Sequence, residues 1–197
     1  MNHRCACLVT LAWLFAPNAF AGCWQVVPEQ SQLIFIAGQA GGTLQGRFND
    51  YSGVVCADAA NGTALHIEAT VQMASVETEL PELDEALYGR DFFDAERWPK
   101  AIFRGDAVRP VGEDRYQVTG TLQLRDVSRE ITVPVTLKPG ADGSQASLAT
   151  SLTLARLDYG IGQGEWSDTQ WVGDEVTIEL TARLVPAPDT AAHGTKH

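Results

Sequence analysis

Apolar and polar side chains alternate with a period of two through almost all of the chain after its first 21 residues. Over 116–124, for example, Tyr116, Val118, Leu122 and Leu124 alternate with polar residues. This period places the apolar side chains on one face of a β-strand and the polar ones on the other. About eight segments show the pattern: 33–39, 43–56, 65–73, 102–111, 116–124, 131–137, 146–154 and 176–184.

One stretch departs from the alternation. Between Pro81 and Asp94, the apolar residues Leu83, Leu87 and Tyr88 recur at near-helical spacing, which predicts one short helix between strands. Strands this regular, each with one apolar face, form either a sandwich or a closed up-and-down barrel. The sequence therefore predicts an all-β fold, and an eight-stranded barrel has room inside for side chains or one small ligand.

The length and charge of the chain exclude several classes of protein. Its 197 residues fit one domain and are too few for two ordinary ones. With 25 acidic and 14 basic side chains, the formal net charge is -11. A surface of that sign repels nucleic-acid phosphates and anionic lipid headgroups, so we expect no nucleic-acid partner.

The first 21 residues have the features of a secretory signal peptide. They contain one Arg and no acidic residue, an apolar run over 8–15 and a small-residue exit at 19–21. We therefore expect export to the periplasm and a mature domain over 22–186. Residues 187–197 show no periodicity and are predicted to form a disordered tail.

Two cysteines, Cys23 and Cys56, follow the predicted leader. An even pair in an oxidising compartment predicts one disulfide. The alternative is a lipoprotein, because the sequence Phe20-Ala21-Gly22-Cys23 ends like a lipobox and Cys23 would then be acylated. We expect the disulfide and keep the acylated anchor as the alternative.

The sequence offers no recognisable catalytic or metal-binding motif. His66 is the sole histidine between the leader and the tail, and one histidine cannot supply a His-based zinc site. Acidic residues cluster around the predicted helix, where acids near its start interact favourably with the helix dipole. We predict a protein that is not an enzyme and holds no cofactor or metal, with a carboxylate pair at a barrel mouth as the alternative.

Two groups of aromatic residues lie outside the regular strands. Loops seldom carry so much apolar surface. Either these rings close the ends of the barrel as ordinary core, or they line an apolar cavity, and the pattern alone leaves both alternatives open. The groups are Phe92, Phe93, Trp98 and Phe103, and Tyr159, Trp166 and Trp171.

Residues 80–103, LPELDEALYGRDFFDAERWPKAIF, resemble the hallmark of the YceI-like, polyisoprenoid-binding family. The family has a hydrophobic Leu, a D-F-F-D step, an aromatic-Pro pair and then a Phe that opens the next strand. Shorter matches extend the resemblance over about 23–185. They are Trp24 with Ser31 and Phe35, Gly46-Arg47-Phe48, GTLQLRDV over 120–127, LDYGIG over 157–162 and VGDEV over 172–176.

The resemblance implies a lipocalin-like, eight-stranded antiparallel barrel. It also implies non-enzymatic binding, storage or transport of an isoprenoid or similar long-chain lipid, such as a quinone or a polyprenyl chain. Burying one five-carbon isoprene unit contributes roughly 4 kcal/mol, so such a pocket needs little polar recognition. The residues expected to line the cavity are Phe35, Phe48, Leu87, Phe92, Phe93, Phe103, Leu122, Tyr159, Trp166 and Trp171.

The chain departs from the family pattern near its helix. The family often has Arg-Asp a few residues before the helical Leu, whereas here Leu83 precedes Asp84. Asp84 and Arg90 are therefore the candidates for a polar mouth of the cavity. The cysteines are also not general family features and suggest a subgroup that is cross-linked near its first strands.

A third function stays open beside the carrier and the enzyme. The chain could be a partner-binding or stress-response module for a membrane redox complex, in which case its core would be filled. The sequence also leaves open two further partners besides the lipid, namely transient contact with a membrane and a second copy of the chain in a homodimer.

Overall fold

The computed structural model describes residues 22–57, 65–141 and 144–188. The predicted signal peptide over 1–21 lies outside them, as does most of the predicted tail. Within them the chain forms eleven β-strands and one α-helix. The elements are β1 (Gly22–Val26), β2 (Gln32–Gln39), β3 (Gly42–Phe48), β4 (Tyr51–Ala57), β5 (Leu65–Gln72), β6 (Val76–Glu77), α1 (Pro81–Tyr88), β7 (Lys100–Gly112), β8 (Arg115–Leu124), β9 (Val127–Pro139), β10 (Ala146–Ala155) and β11 (Val172–Pro186).

The strands form one antiparallel sheet that closes into a barrel. Three of its strand positions are each occupied by two short strands. In the first, β1 and β2 both pair with β11. In the second, β4 pairs with β1 and β3 pairs with β2, and in the third, β5 pairs with β4 and β6 pairs with β3. From β5 the sheet continues through β7 to β11 as a meander. Because β11 also pairs with β1, the barrel closes with eight strand positions, which confirms the predicted fold.

The predicted alternation decides which side chains fill the barrel. In β10, Leu148 is buried whereas its neighbours Ser147 and Ala149 are exposed. On the outer face, polar side chains pair across strands, as in the 2.9 Å contact between the hydroxyl oxygens of Thr119 and Thr132. The strand register therefore places the apolar one of the two alternating sets of side chains inside the barrel.

The prediction of one continuous strand over 43–56 is wrong, because the chain breaks between β3 and β4. Phe48 and Tyr51 are both buried, although two residues an odd number of positions apart point to opposite faces of a regular strand. The alternation of inward and outward side chains therefore shifts by one residue at Asn49 and Asp50. The backbone of these two residues hydrogen-bonds to the junction of β5 and β6. The break therefore runs across neighbouring strand positions.

Helix α1 begins at the predicted residue but ends earlier than the predicted Asp94. The N–H of Gly89 donates to the carbonyls of Glu85 and Ala86, at 3.1 Å each, and the chain continues as turns. Leu87 is the buried residue of the helix. No helix within the described ranges is long and apolar enough to cross a bilayer.

A disulfide joins Cys23 in β1 to Cys56 in β4, as predicted. The two residues face each other in the β1–β4 ladder, with their Cα atoms 4.0 Å apart. The bond closes a loop between two cysteines that are 33 residues apart in the sequence. Because the sulfur of a disulfide cannot also carry a lipid thioether, this pairing is incompatible with acylation of Cys23.

The β9–β10 ladder covers only part of the two strands. Residues 136–139 pair with 146–149. In contrast, 127–135 pair with β8 alone and 150–155 pair with β11 alone. The wall therefore contains a segment in which two strand edges face each other without a ladder between them.

Pro134 explains where the ladder stops. Leu137 donates its N–H to Asp114 on the β8 side, and Gly140 donates its N–H to Gln145 on the β10 side. Since successive residues of a strand direct their N–H groups to opposite neighbours, the nitrogen of Pro134 faces β10. A proline nitrogen carries no hydrogen, so one of the two hydrogen bonds of the next pair of the ladder cannot form.

Candidate functional site

The barrel encloses a cavity of about 270 Å³. Its lining includes members of both buried clusters of the protein, one around Phe35 and Leu87 and the other around Val55 and Leu148. The lining is almost wholly apolar. Small-molecule pockets usually measure about 300–1,000 Å³, so the volume of this cavity lies just below that range, and its lining suits an apolar molecule.

Three phenylalanine rings form a continuous aromatic wall of the cavity. The ring centroid of Phe48 lies 5.8 Å from that of Phe35 and 5.8 Å from that of Phe93, both in tilted arrangements that aromatic pairs favour. Gly46 leaves room for this wall, because a Cβ atom there would lie 2.4 Å from the Phe35 ring. The sequence thus provides both the rings and the space they need.

The segment between β10 and β11, residues 156–171, contributes to the lining, and we call it the lid segment. It is docked on the turn that follows α1. The carbonyl of Asp91 accepts two N–H groups of the lid segment, at 2.6 and 2.8 Å. The rings of Phe92 and Trp166 also meet, with centroids 5.6 Å apart.

Arg156 holds the lid segment in place. The residue is 4% exposed, and burial lowers the pKa of Arg156 below its ordinary value, although nearby Asp174 counteracts this. A guanidinium has five N–H donors, and all five are used here on backbone carbonyls, so none is left for a ligand. The acceptors, at 2.7 to 3.3 Å, are the carbonyls of Ile161, Gly162, Trp166, Val172 and Gly173.

Two lining residues carry hydroxyl groups that have no hydrogen-bond partner among the described residues, Tyr159 and Thr150. Tyr159 is 2% exposed. Burial raises the pKa of its phenol above the ordinary 10.0, while Arg129 lowers this pKa and Asp158 raises it further. The phenol therefore stays protonated at neutral pH and remains a hydrogen-bond donor.

Eight of the ten residues predicted to line the cavity are found on its lining. They come from β2, β3, α1, the turn after it, β7, β8 and the lid segment, so the fold brings together residues far apart in sequence. Their role in binding a ligand stays a prediction. The eight are Phe35, Phe48, Leu87, Phe92, Phe93, Phe103, Leu122 and Tyr159.

The two tryptophans predicted to line the cavity do not line it. Trp166 packs its ring on Phe92 instead. Trp171 is 63% exposed. Strand β11 begins at Val172, whose side chain is buried, and the side chain of Trp171 just before it therefore points outward. The prediction of cavity lining is therefore corrected for both residues.

The two candidates for a polar mouth also lie outside the lining. The carboxylate of Asp84 accepts the backbone N–H of Thr78 at 2.7 Å and its hydroxyl at 2.6 Å, which ties the chain before α1 to the helix. Arg90 is exposed. Their positions do not support a polar mouth formed by these two side chains.

Sequence reasoning missed Arg156 and much of the lining from β2, β10 and β11. A signal for Arg156 was present, since it continues the inward phase of Leu148, Thr150, Leu152 and Leu154. An arginine on the apolar phase of a strand has to be satisfied internally when it is buried. The missed aliphatic lining residues include Leu33, Met73, Ile161, Val176, Ile178 and Leu180.

Carboxylates do not converge on the cavity. Among the described lining residues, Glu68 alone carries one, and it pairs with Arg104 at 3.1 Å with 45% of its side chain exposed. His66 is exposed on the barrel surface. In the part of the chain that the structure covers, no group of three or more His, Cys, Asp or Glu residues is placed to hold a metal ion.

The sequence is similar to a family and to several of its members. The profile of the YceI-like domain matches residues 24–184. A UPF0312 protein of Shewanella oneidensis is 30% identical over 158 residues, which are 76% of this chain and 83% of the relative. A UPF0312 protein of Pseudomonas syringae pv. tomato is 34% identical over 140 residues, or 69% and 72% of the two chains.

Solved structures show the same architecture. BcnA of Burkholderia cenocepacia superposes with a TM-score of 0.76 at 30% identity, covering 80% of this chain and 98% of BcnA. A polyisoprenoid binding domain from Saccharophagus degradans shares the fold, with a TM-score of 0.68 at 15% identity over 85% and 99% of the two chains. With a family profile that spans the whole barrel, the chain belongs to the YceI-like domain family.

Proposed function

We propose that this protein binds an isoprenoid or similar long-chain apolar lipid, such as a quinone or a polyprenyl chain, in its barrel cavity. It stores or carries that lipid in the periplasm and performs no catalysis. The observation that carries the proposal is the cavity of about 270 Å³, lined by apolar side chains inside a closed barrel. An apolar chain placed there leaves water and gives the cavity walls the contacts they lack.

The strength of binding follows from the apolar chain rather than from polar contacts. Each buried isoprene unit contributes roughly 4 kcal/mol, so three units contribute about 12 kcal/mol, which corresponds to nanomolar affinity. The loss of translational and conformational freedom on binding reduces this value. The nearly complete absence of polar groups on the described lining is compatible with such a ligand.

Two further observations support the ligand class and the compartment. The Saccharophagus degradans neighbour is named as a polyisoprenoid binding domain, and this chain shares its fold. The Cys23–Cys56 disulfide suits an oxidising compartment, in agreement with the leader-like first 21 residues.

The alternatives receive less support. Catalysis by carboxylates needs two groups that face a shared site, whereas the Glu68 carboxylate pairs with Arg104 and is half exposed. For a partner-binding or stress-response module, we expect a barrel core filled by side chains, whereas this barrel contains a cavity. A binding role is therefore the function that the cavity supports best.

Titration of delipidated protein with a prenol of four isoprene units tests the proposal, with tryptophan fluorescence as the readout. Phe93→Arg places a charge on the cavity wall, and it should weaken binding by at least about tenfold while circular dichroism stays unchanged. Tyr88→Arg is the matched control, because it adds the same charge at an exposed position. Absence of saturable binding to the wild-type protein would contradict the proposal, as would equal weakening by both variants.

A further inference from the structure

We infer that helix α1 is the movable cover of the cavity and that Asp84 holds this cover closed. The lipid enters and leaves where α1 stands in place of a strand. The inference rests on the proposed function and adds to it a route of exchange and a positioning residue. It concerns the rate of exchange, so its test can fail while lipid binding itself is confirmed.

The barrel wall lacks a strand beside the first part of β3. Residues 42–46 pair with β2 on one side, but the ladder between β3 and β6 covers only Arg47 and Phe48. Within the described sheet, the two-residue strand β6 pairs with β3 alone, whereas β7 pairs with β5 and β8. After β6 the chain continues into α1, whose Leu87 side chain lines the cavity. A helix therefore closes the wall where the third strand position ends.

Few interactions hold α1 against the barrel. Its apolar contacts come from buried Leu87 and partly buried Leu83. Its N-cap residue, Leu80, makes no side-chain capping bond, and a helix of eight residues is too short to be stable on its own. Among the described residues, the hydrogen bonds that α1 makes outside its own turns all go to the segment 78–95. None of them reaches β3, β7 or the lid segment.

The carboxylate of Asp84 is the polar tie between α1 and the wall. It accepts the N–H of Thr78 at 2.7 Å and the Thr78 hydroxyl at 2.6 Å. Thr78 directly follows β6 and lies beside β3, since a Cβ atom at Gly46 would be 3.0 Å from its methyl carbon. Two charge-assisted hydrogen bonds thus join the middle of the helix to the end of the preceding strand. Asp84 is a positioning residue, because it lies outside the cavity lining.

The chain on either side of α1 is held more firmly, which confines the movement to the helix. After the helix, the carbonyl of Asp91 accepts two N–H groups of the lid segment, and that of Phe92 accepts the guanidinium of Arg125. Before the helix, Val76 and Glu77 are paired with β3. The segment between these two anchors moves outward when the Asp84 tie opens.

The other boundaries of the cavity are better secured. A route through the lid segment would break the five hydrogen bonds of Arg156. At the opposite end of the barrel, inward positions beyond the lining are filled by buried side chains, namely Leu137 in β9, Ala146 in β10 and Leu184 in β11. Passage there would disrupt several buried side chains, whereas movement of α1 exposes one, Leu87.

Loss of the Asp84 tie should speed exchange of the lipid. The protein is loaded with a prenol of four isoprene units, and tryptophan fluorescence follows transfer of the prenol to excess phosphatidylcholine vesicles. Asp84→Ala removes the acceptor of both hydrogen bonds and should raise the transfer rate about tenfold. The matched control is Glu77→Ala, because the Glu77 carboxylate also accepts two side chains, those of Arg47 and Asn49, but has no hydrogen bond to α1 in the described structure. Its rate should stay within about twofold of the wild type.

Locking α1 supplies the converse test. In the double variant Thr78→Cys, Asp84→Cys, a short bis-alkylating reagent joins the two thiols, whereas N-ethylmaleimide caps them separately. Both forms lack the two hydrogen bonds, so they differ only in the covalent bridge. Cys23 and Cys56 are bonded to each other and do not react. The bridged form should transfer prenol at least about tenfold more slowly than the capped form, with equal amounts bound.

Equal rates for the bridged and capped forms would overturn the inference, as would a folded Asp84→Ala protein that transfers prenol at the wild-type rate. Equal acceleration by Asp84→Ala and Glu77→Ala would assign the effect to general loosening and would also overturn it. In all these cases prenol binding stands, and so does the proposed function. If Asp84→Ala fails to fold, the bridged and capped forms decide. If the wild-type protein takes up no prenol, the proposed function itself falls.

Discussion

Replacing Arg156 by lysine tests whether the buried guanidinium holds the lid segment. Lysine offers three N–H donors in place of five, so at least two of the five carbonyls lose their partner. Each unsatisfied buried carbonyl costs about 1–3 kcal/mol, and the free energy of unfolding should fall by about 2–6 kcal/mol. For a domain of this size the melting temperature changes by about 2–4 °C per kcal/mol, so it should fall by at least about 4 °C.

Thermal unfolding followed by circular dichroism measures the effect, and limited proteolysis of residues 156–171 reports whether the loss is local. Arg129→Lys is the matched control from a site next to the lid segment. Its side chain is 48% exposed, and its ion pair with Asp158 should contribute less than about 1 kcal/mol. An Arg156→Lys protein within about 0.5 kcal/mol of the wild type, or equal losses in the two variants, would show that the guanidinium does not hold the lid segment.

Two further predictions concern the disulfide and the outer surface. Replacing Cys23 and Cys56 together by serine should lower the free energy of unfolding by about 3–4 kcal/mol in denaturant titrations without reductant, and a loss below about 1 kcal/mol would contradict this. Hydrogen bonds from Arg47 and Asn49 hold the pKa of Glu77 below its ordinary 4.5. The stability from this group is therefore present above its unfolded pKa and lost as pH falls through the folded pKa. Arg47→Ala should raise the Glu77 pKa in a carboxyl NMR titration, and an unchanged value would show that the bond is unimportant in solution.

The barrel was predictable because alternation is a direct consequence of strand geometry. A strand with one buried face needs apolar residues at every second position, and that requirement is written into segments such as 116–124 and 146–154. The disulfide was predictable because only two cysteines follow the predicted leader. The breaks in the wall were harder to see, since Asn49 and Asp50 fit equally well into a bulge within one strand.

Side-chain direction outside the strands could not be predicted. Trp166 and Trp171 are as apolar as the rings that reach the cavity, but their direction depends on where β11 begins and on how the lid segment docks. Arg156 looks like a surface residue until the carbonyls of five residues between Ile161 and Gly173 surround it. Pro134 signals the end of a ladder only once its neighbouring strands are known.

Native mass spectrometry of the protein, purified gently from a host that makes prenyl lipids, tests whether the barrel cavity holds a lipid. We expect a species heavier than the polypeptide by the mass of one such lipid, and organic extraction should release that lipid and leave the bare chain. Repeated preparations that contain only the bare chain, and that gain no mass after incubation with a prenol, would contradict it.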